Sequence, residues 1–133
     1  MEAFLGTWKV DSNGDFHKFM NHFGVPTAIA KMVLLVGSKT IFSQKDADTY
    51  CIAVSSIKGK TEATFRLDQE FEEACSGGAP MKSKITMEGG VMKHIQVGRG
   101  ETIITTRTIN GNIMTVVYTV GDLTCSRTYK RVE

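Results

Sequence analysis

The chain has 133 residues, of which 41% are apolar and 23% are charged, and its formal net charge is +2. These values are typical of one globular unit with a buried core, so we expect residues 1–133 to form a single domain. The small net charge is too mild to indicate the strongly basic surface that nucleic-acid binding usually requires, and we expect no nucleic-acid partner.

The N-terminus and the cysteines favour a cytoplasmic protein. The first residues lack a basic flank followed by a long apolar run, so the sequence predicts no signal peptide. Cys51, Cys75 and Cys125 are odd in number and widely spaced, which favours free thiols in a reducing compartment over a disulfide framework. The three histidines do not stand at metal-ligand spacing from these cysteines. We therefore expect neither a metal nor a cofactor.

The first strand of the chain is followed by two predicted helices. In the first, Phe16, Phe19, Met20 and Phe23 recur at helical spacing, and Asp15 is a candidate N-cap.

The second predicted helix begins after a Gly-containing break. Thr27 is its candidate cap, and Ile29, Met32, Val33 and Val36 form an apolar stripe. Few basic residues face outward here, which disfavours the DNA-binding reading of a helix-turn-helix. A hydrophobic lid over the mouth of a barrel would give the stripe a partner surface, and ordinary core packing is compatible with that role.

The rest of the chain is predicted to form an antiparallel sheet or barrel. Turn signals recur about every 8–20 residues between segments rich in β-branched and aromatic residues. Asn110-Gly111 is the strongest hairpin signal, because both central positions of a type I′ turn need a positive φ.

The last strand is polar on both faces. Its alternation places Cys125, Arg127 and Tyr129 on one face, and threonine, serine and lysine side chains on the other. An edge strand with both faces solvated would explain this pattern. The alternative is a strand with one face in bulk water and the other lining a wet internal cavity that holds an anion.

Five segments in chain order form a further pattern. They are Phe4-Leu5-Gly6-Thr7-Trp8-Lys9 with Phe16 and Met20, Lys18 to Val25, Phe65-Arg66-Leu67 with Glu70-Phe71-Glu72-Glu73, Lys82-Ser83 with Glu88-Gly89-Gly90 through His94-Ile95-Gln96, and Arg127-Thr128-Tyr129-Lys130. In order, spacing and chain length this pattern resembles the intracellular lipid-binding proteins, the fatty-acid-binding protein family. The resemblance implies an all-β fold: a ten-stranded antiparallel up-and-down β-barrel, or β-clam, with a helix-turn-helix lid between the first two strands.

The resemblance also implies a ligand and its site. In many members of the family two arginines and a tyrosine hold the carboxylate of one long-chain fatty acid, and these map onto Arg107, Arg127 and Tyr129. Retinol-binding relatives carry glutamines in place of the arginines, so this chain groups with binders of carboxylates.

A second set of residues is expected by resemblance along the fatty-acid tail and at the portal. Three of its members would serve equally well as ordinary core packing, namely Phe16, Met20 and Val116. The set comprises Phe16, Met20, Val25, Ile29, Val33, Ile57, Ser76, Val116 and Tyr118.

The predicted function is therefore non-covalent binding and intracellular transport of long-chain fatty acids by a monomer. We expect no catalytic residues, since the sequence has no Gly-x-Ser-x-Gly, no phosphate-binding glycine loop and no Cys/His or paired-carboxylate constellation. A retinoic-acid carrier and a β-rich interaction module without a lipid ligand stay open as alternatives. Lys18, His22 and Lys31 near the lid suggest transient contact with membrane surfaces.

Overall fold

Ten antiparallel strands form one sheet that curls into a nearly closed barrel. The computed structural model describes residues 1–57, 59–74 and 80–132. In the described residues the sheet runs β4-β3-β2-β1-β10-β9-β8-β7-β6-β5, so β4 and β5 are its two ends. The predicted up-and-down barrel of ten strands is confirmed. The strands are β1 (Gly6–Ser12), β2 (Lys39–Gln44), β3 (Tyr50–Ser56), β4 (Gly59–Phe65), β5 (Phe71–Glu73), β6 (Met81–Glu88), β7 (Val91–Gly98), β8 (Glu101–Asn110), β9 (Ile113–Val120) and β10 (Leu123–Val132).

Two short helices lie between β1 and β2, as predicted. They are α1 (Phe16–His22) and α2 (Thr27–Val36), and a single 3-10 turn, Glu2–Phe4, precedes β1. The helix α1 packs against α2 and against β10. We call α1 and α2 the helical lid. No helix in the described ranges has the length and apolar character needed to cross a lipid bilayer.

One of the two predicted helix caps is at the right position, but neither predicted residue caps its helix through its side chain. Asp15 occupies the N-cap position of α1, but its backbone (φ −106°, ψ 28°) lacks the extended conformation that directs a capping side chain to the helix. Its Oδ1 instead accepts a hydrogen bond of 2.9 Å from the backbone N–H of Ser126 in β10. Thr27 is the first residue of α2, and Pro26, with an extended ψ of 142°, takes the cap position. Asp15 therefore ties the lid to the barrel.

The predicted apolar stripe of α2 faces mainly outward. Val33 is buried, but Ile29, Met32 and Val36 are exposed, and Ala30 is the second buried residue of the helix. Ala30 and Val33 cluster with Met20 of α1. A small residue at position 30 lets the two helices approach closely, and Met32, Leu35 and Val36 are left facing solvent.

The hairpin between β8 and β9 differs from its prediction. Asn110 pairs with Ile113, so the two central turn residues are Gly111 and Asn112. Only Gly111 has a positive φ, 62°, which is the pattern of a type II′ turn. The type I′ pattern occurs instead between β6 and β7, where Gly89 and Gly90 both have positive φ values of 56° and 85°.

The interior of the barrel contains both a hydrophobic core and buried polar side chains. Trp8 is fully buried in the largest cluster, where its Nε1 donates a 2.9 Å hydrogen bond to the carbonyl of Phe4. The inward face of β10 carries Cys125, Arg127 and Tyr129, all buried. Because β10 pairs with both β1 and β9, it is not an edge strand, and the solvated-edge alternative is wrong.

Candidate functional site

A cavity of about 640 Å³ lies between the helical lid and the inner face of the barrel. This volume is within the usual range for a small-molecule pocket. Its wall under the lid is mainly apolar and aromatic, while the sheet contributes several polar side chains. Among the apolar lining residues are Phe16, Phe19, Met20, Val25, Ile29 and Ile103, and among the polar ones are Glu73, His94, Gln96, Arg107, Arg127 and Tyr129.

The three predicted carboxylate-binding residues all line this cavity. Arg107 in β8 and Arg127 in β10 both pair with Val116 in β9. The side chains of Arg107, Val116 and Arg127 therefore lie in one row on the inner face of the sheet. Two strand spacings separate the arginines, about 9–10 Å between their backbones. Tyr129 is two residues further along β10 on the same face. The exposed fractions of Arg107, Arg127 and Tyr129 are 8%, 4% and 3%.

The guanidinium of Arg127 is held on three sides. Its Nη1 donates to the phenolic oxygen of Tyr129 at 3.2 Å, and its Nη2 donates to Oδ1 of Asn13 at 3.0 Å. The Cζ atom lies 4.0 Å from the centroid of the Phe16 ring, a cation–π contact. Its Nε is buried and has no hydrogen-bond partner among the described residues. A buried donor without an acceptor is costly, and an oxygen ligand that reached Nε would relieve that cost.

The phenol of Tyr129 lies between Arg127 and Ser38. Because Arg127 donates to its oxygen, the phenol keeps its own hydrogen for another acceptor, and Ser38 Oγ lies 3.2 Å away. Burial alone would raise the pKa of Tyr129, but the charge of Arg127 and the hydrogen bond with Ser38 hold that pKa below its ordinary value.

Arg107 contacts an imidazole nitrogen, a thioether sulfur and an aromatic ring. Its Nη1 lies 3.3 Å from Nδ1 of His94 and 3.8 Å from Sδ of Met92, and its Cζ lies 5.5 Å from the centroid of the Phe42 ring. Burial lowers the pKa of Arg107, although nearby Tyr118, Tyr129 and Glu73 oppose that shift. A guanidinium has only donors, so Nδ1 of His94 accepts from Arg107.

Glu73 closes a polar network behind Arg107. Its Oε1 accepts hydrogen bonds from Ser83 Oγ at 2.8 Å, His94 Nε2 at 2.8 Å and Gln96 Nε2 at 3.1 Å. Burial pushes the pKa of Glu73 up, but the hydrogen bonds from His94 and Ser83 and the charge of Arg107 outweigh it, so that pKa is lowered. The negative charge of Glu73 thus offsets part of the positive charge of Arg107, and the His94 ring connects the two groups by hydrogen bonds.

Within the described ranges, neither Arg107 nor Arg127 forms an ion pair with a carboxylate. Two buried guanidiniums at this spacing repel each other and have lost hydration. A single anion between them would relieve both costs, and the guanidinium fork suits a two-oxygen anion.

The structure brings together five of the nine residues predicted along the tail. Phe16, Met20, Val25, Ile29 and Tyr118 line the cavity. The aromatic rings of the lid pack at a tilt on the sheet here, since the Tyr118 centroid is 5.2 Å from that of Phe16 and 5.0 Å from that of Phe19.

Three predicted tail residues are not among those that line the cavity. Val33 packs between the helices, because α2 presents Ala30 and Val33 to α1. Val116 is 1% exposed and lies in the core between the two arginines. Ile57, at the turn after β3, is 42% exposed. Ser76 lies outside the described residues.

Sequence reasoning did not identify Asn13, Ser38, Glu73, His94 or Gln96 as site residues. One signal could have found His94: the hairpin turn at residues 98–101 sets the register that pairs His94 with Thr105, two residues before Arg107 on the same face. Asn13 and Ser38 lie at the ends of elements, where neither periodicity nor register predicts the direction of a side chain.

Comparison with known proteins points to one family. The profile of the lipocalin / cytosolic fatty-acid binding protein family matches residues 5–132. The fatty acid-binding protein homolog 1 of Echinococcus granulosus is 35% identical over 132 residues, which is 99% of each chain. The crystal structure of Echinococcus granulosus fatty-acid-binding protein 1 superposes with a TM-score of 0.91 and 34% identity, covering 100% of both chains. A Schistosoma mansoni fatty acid binding protein in complex with arachidonic acid gives a TM-score of 0.89 at 30% identity, covering 100% of this chain and 98% of that one.

Proposed function

The chain belongs to the lipocalin / cytosolic fatty-acid binding protein family, and from this premise we propose that it binds one long-chain fatty acid in its cavity. In this proposal Arg107, Arg127 and Tyr129 hold the carboxylate. The observation that carries this proposal is that Arg127, with a buried guanidinium, lines the cavity, and that its Nε lacks a hydrogen-bond partner among the described residues.

The tail of the fatty acid supplies most of the affinity. Each buried CH₂ contributes about 0.8 kcal/mol, so a long chain contributes about 10 kcal/mol or more. Each charge-assisted hydrogen bond to the head adds about 1.5–3 kcal/mol. The tail therefore drives binding, whereas the arginines select the class of ligand.

The apolar wall under the lid is the proposed path of the tail. Five of its residues would contact the chain directly: Phe16, Met20, Val25, Ile29 and Tyr118. In our proposal Val33 and Val116 support this wall from behind, and Ile57 lies near the entrance.

The proposed role is non-covalent carriage, without catalysis, by a cytosolic monomer that acts as one binding unit. The arrangement of donors around Arg127 can hold an anion, and our proposal assigns no bond-making or bond-breaking step to it.

Replacing Arg127 with Gln tests the proposal. The amide keeps some donor capacity but loses the charge and the fork, so we expect fatty-acid affinity to fall about tenfold or more, which corresponds to about 1.4 kcal/mol or more. Displacement of a fluorescent fatty acid measures the change, and circular dichroism checks that the barrel is folded.

The matched control is Arg66→Gln, which removes an exposed arginine whose Nε contacts Thr49 on the outside of the barrel. This variant should bind as the unmodified protein does. Unchanged fatty-acid affinity in a folded Arg127→Gln protein would contradict the proposed head site.

The same assay separates the alternatives. Retinoic acid competing ahead of long-chain fatty acids would favour a retinoic-acid carrier. No displacement by either ligand would favour an interaction module without a lipid.

We also propose that the lid contacts membrane surfaces when ligand is delivered. The outward face of α2 carries Met32, Leu35 and Val36, with Leu35 82% exposed, and Lys31 and Lys18 are exposed on the same lid. Apolar side chains beside lysines suit the interface of an anionic bilayer.

A further inference from the structure

Asn13 links the site to the lid through both ends of its side-chain amide. It lies between β1 and α1, where its Oδ1 accepts a 3.0 Å hydrogen bond from Nη2 of Arg127. Its Nδ2 donates a 3.0 Å hydrogen bond to the backbone carbonyl of Leu34 in α2. One neutral side chain therefore joins the guanidinium of Arg127 to the second helix.

The carbonyl of Leu34 is a suitable acceptor because of its place in α2. The helix ends at Val36, so Leu34 is among the last four residues, whose carbonyls have no intrahelical N–H partner. These carbonyls carry the negative end of the helix dipole. The chain from Arg127 through Asn13 to Leu34 thus runs from positive to negative, and hydrogen bonds aligned in this way polarise and strengthen one another.

A second contact joins the same end of α2 to the same site. Ser38, two residues beyond α2, is buried and shares a 3.2 Å hydrogen bond with the phenol of Tyr129. Tyr129 in turn accepts from Nη1 of Arg127. Both terminal nitrogens of Arg127 are therefore connected to the end of α2, one through Asn13 and the other through Tyr129 and Ser38.

We propose that Asn13 is a positioning residue for the anion site, an inference that rests on the proposed function. It holds the guanidinium of Arg127 in one conformation at the cavity wall, so the ligand does not have to order a long, flexible side chain when it binds. Ordering such a side chain lowers affinity.

An asparagine suits this position because it offers one acceptor and one donor without a charge. Aspartate would accept from Arg127 but could not donate to Leu34. It would also place a fixed carboxylate on the guanidinium and compete with that of the ligand.

The test compares a long-chain fatty acid with the fatty alcohol of the same chain in Asn13→Ala. We expect fatty-acid affinity to fall about three- to tenfold, because the ligand must then order the side chain of Arg127 itself when it binds. The alcohol has the same tail, but its head carries no charge that could pair with the guanidinium of Arg127. Its affinity should therefore stay unchanged. Asn21→Ala, an exposed asparagine on α1, is the matched control and should bind both ligands normally.

Two further variants sharpen the test. Asn13→Asp should weaken fatty-acid binding more than Asn13→Ala does. Because it keeps the volume of the side chain, it also replaces the alanine variant in the test if that variant fails to fold. In an Arg127→Gln background, Asn13→Ala should have no further effect on fatty-acid affinity, because its action passes through Arg127.

Two results would overturn the inference. Equal loss of acid and alcohol binding in Asn13→Ala would show a purely structural role. Unchanged acid binding in Asn13→Ala and Asn13→Asp, with a clear loss in Arg127→Gln, would remove the role of Asn13 and leave the proposed function intact. No loss in Arg127→Gln would instead contradict the proposed function itself.

Discussion

His94 lies between the partly buried carboxylate of Glu73 and the buried guanidinium of Arg107, and this fixes where its proton sits. Nδ1 accepts from Arg107, so the hydrogen of the neutral ring is on Nε2, where it is donated to Glu73. A second proton would have to sit on Nδ1, facing the donors of Arg107. Burial lowers the pKa of His94, and the charge of Arg107 adds to that shift, while the hydrogen bond to Glu73 opposes it.

This geometry predicts a loss of stability as the pH falls. The pKa of His94 in the folded protein is below its ordinary value of 6.5, so the unfolded chain binds the proton more readily. The free energy of unfolding should therefore fall as the pH drops from about 6.5 toward the folded pKa, by about 1.4 kcal/mol for each pKa unit of the shift. Urea unfolding at about pH 7.5 and about pH 5.5 measures this change.

A comparison of two histidine variants isolates the source of the effect. His94→Gln should lose most of the stability difference between the two pH values, while His17→Gln, an exposed histidine of α1, should retain it. The pKa of Glu73 is lowered, so its contribution is present above its ordinary value of 4.5 and is lost at lower pH. An unchanged pH dependence in His94→Gln would contradict this reading of the network.

The residues of the proposed carboxylate site and its neighbours divide into those that the sequence predicts and those that it does not. Alternation along β10 predicts that Arg127 and Tyr129 share a face, and resemblance supplies Arg107. Asn13 and Glu73 reach these residues across sequence separations of 114 and 21 through side chains, to Arg127 and His94 respectively. Contacts of this kind depend on the packing of whole elements, which no local pattern encodes.

At the scale of elements, α2 is the part of the fold that differs most from its predicted orientation. Periodicity predicts a helix, but it cannot decide which of two apolar faces packs inward. Ala30 and Val33 face α1, and Met32, Leu35 and Val36 are left outside. The turns show the same limit, because the sequence predicts where β8 and β9 reverse but not which residue takes the positive φ.

The outward face of α2 predicts a change in membrane transfer. Leu35→Glu replaces the most exposed large apolar residue of the lid with a negative charge, which an anionic bilayer repels. We expect transfer of a fluorescent fatty acid to anionic vesicles to slow several-fold, roughly the effect of 1 kcal/mol at the interface, with ligand affinity unchanged. Stopped-flow fluorescence measures the transfer rate.

Val97→Glu is the matched control, since Val97 is 49% exposed on β7 rather than on the lid. It should leave the transfer rate unchanged. Equal slowing in both variants, or transfer rates that ignore the salt concentration, would contradict a specific contact through the lid.

At the scale of the whole molecule, the barrel buries charge in its interior. Arg107, Arg127, Glu73 and His94 all lie inside the sheet, although apolar residues of similar volume would usually stabilise a core better. Resemblance supplies Arg107, whereas the polar last strand by itself fits either a solvated edge or a wet cavity that holds an anion, so the sequence pattern leaves the burial of charge open. It does not predict how the charges are balanced, because that depends on the register of β5 to β8.

The central claim is that a carboxylate sits between Arg107 and Arg127 inside the barrel. Carbon-13 NMR of a carboxyl-labelled long-chain fatty acid bound to the protein tests it most directly. Beside two guanidiniums the ionised head is favoured, so the bound carboxyl signal should stay that of the ionised form well below the pH at which an exposed carboxyl titrates. A bound carboxyl that titrates as an exposed one does would contradict the claim.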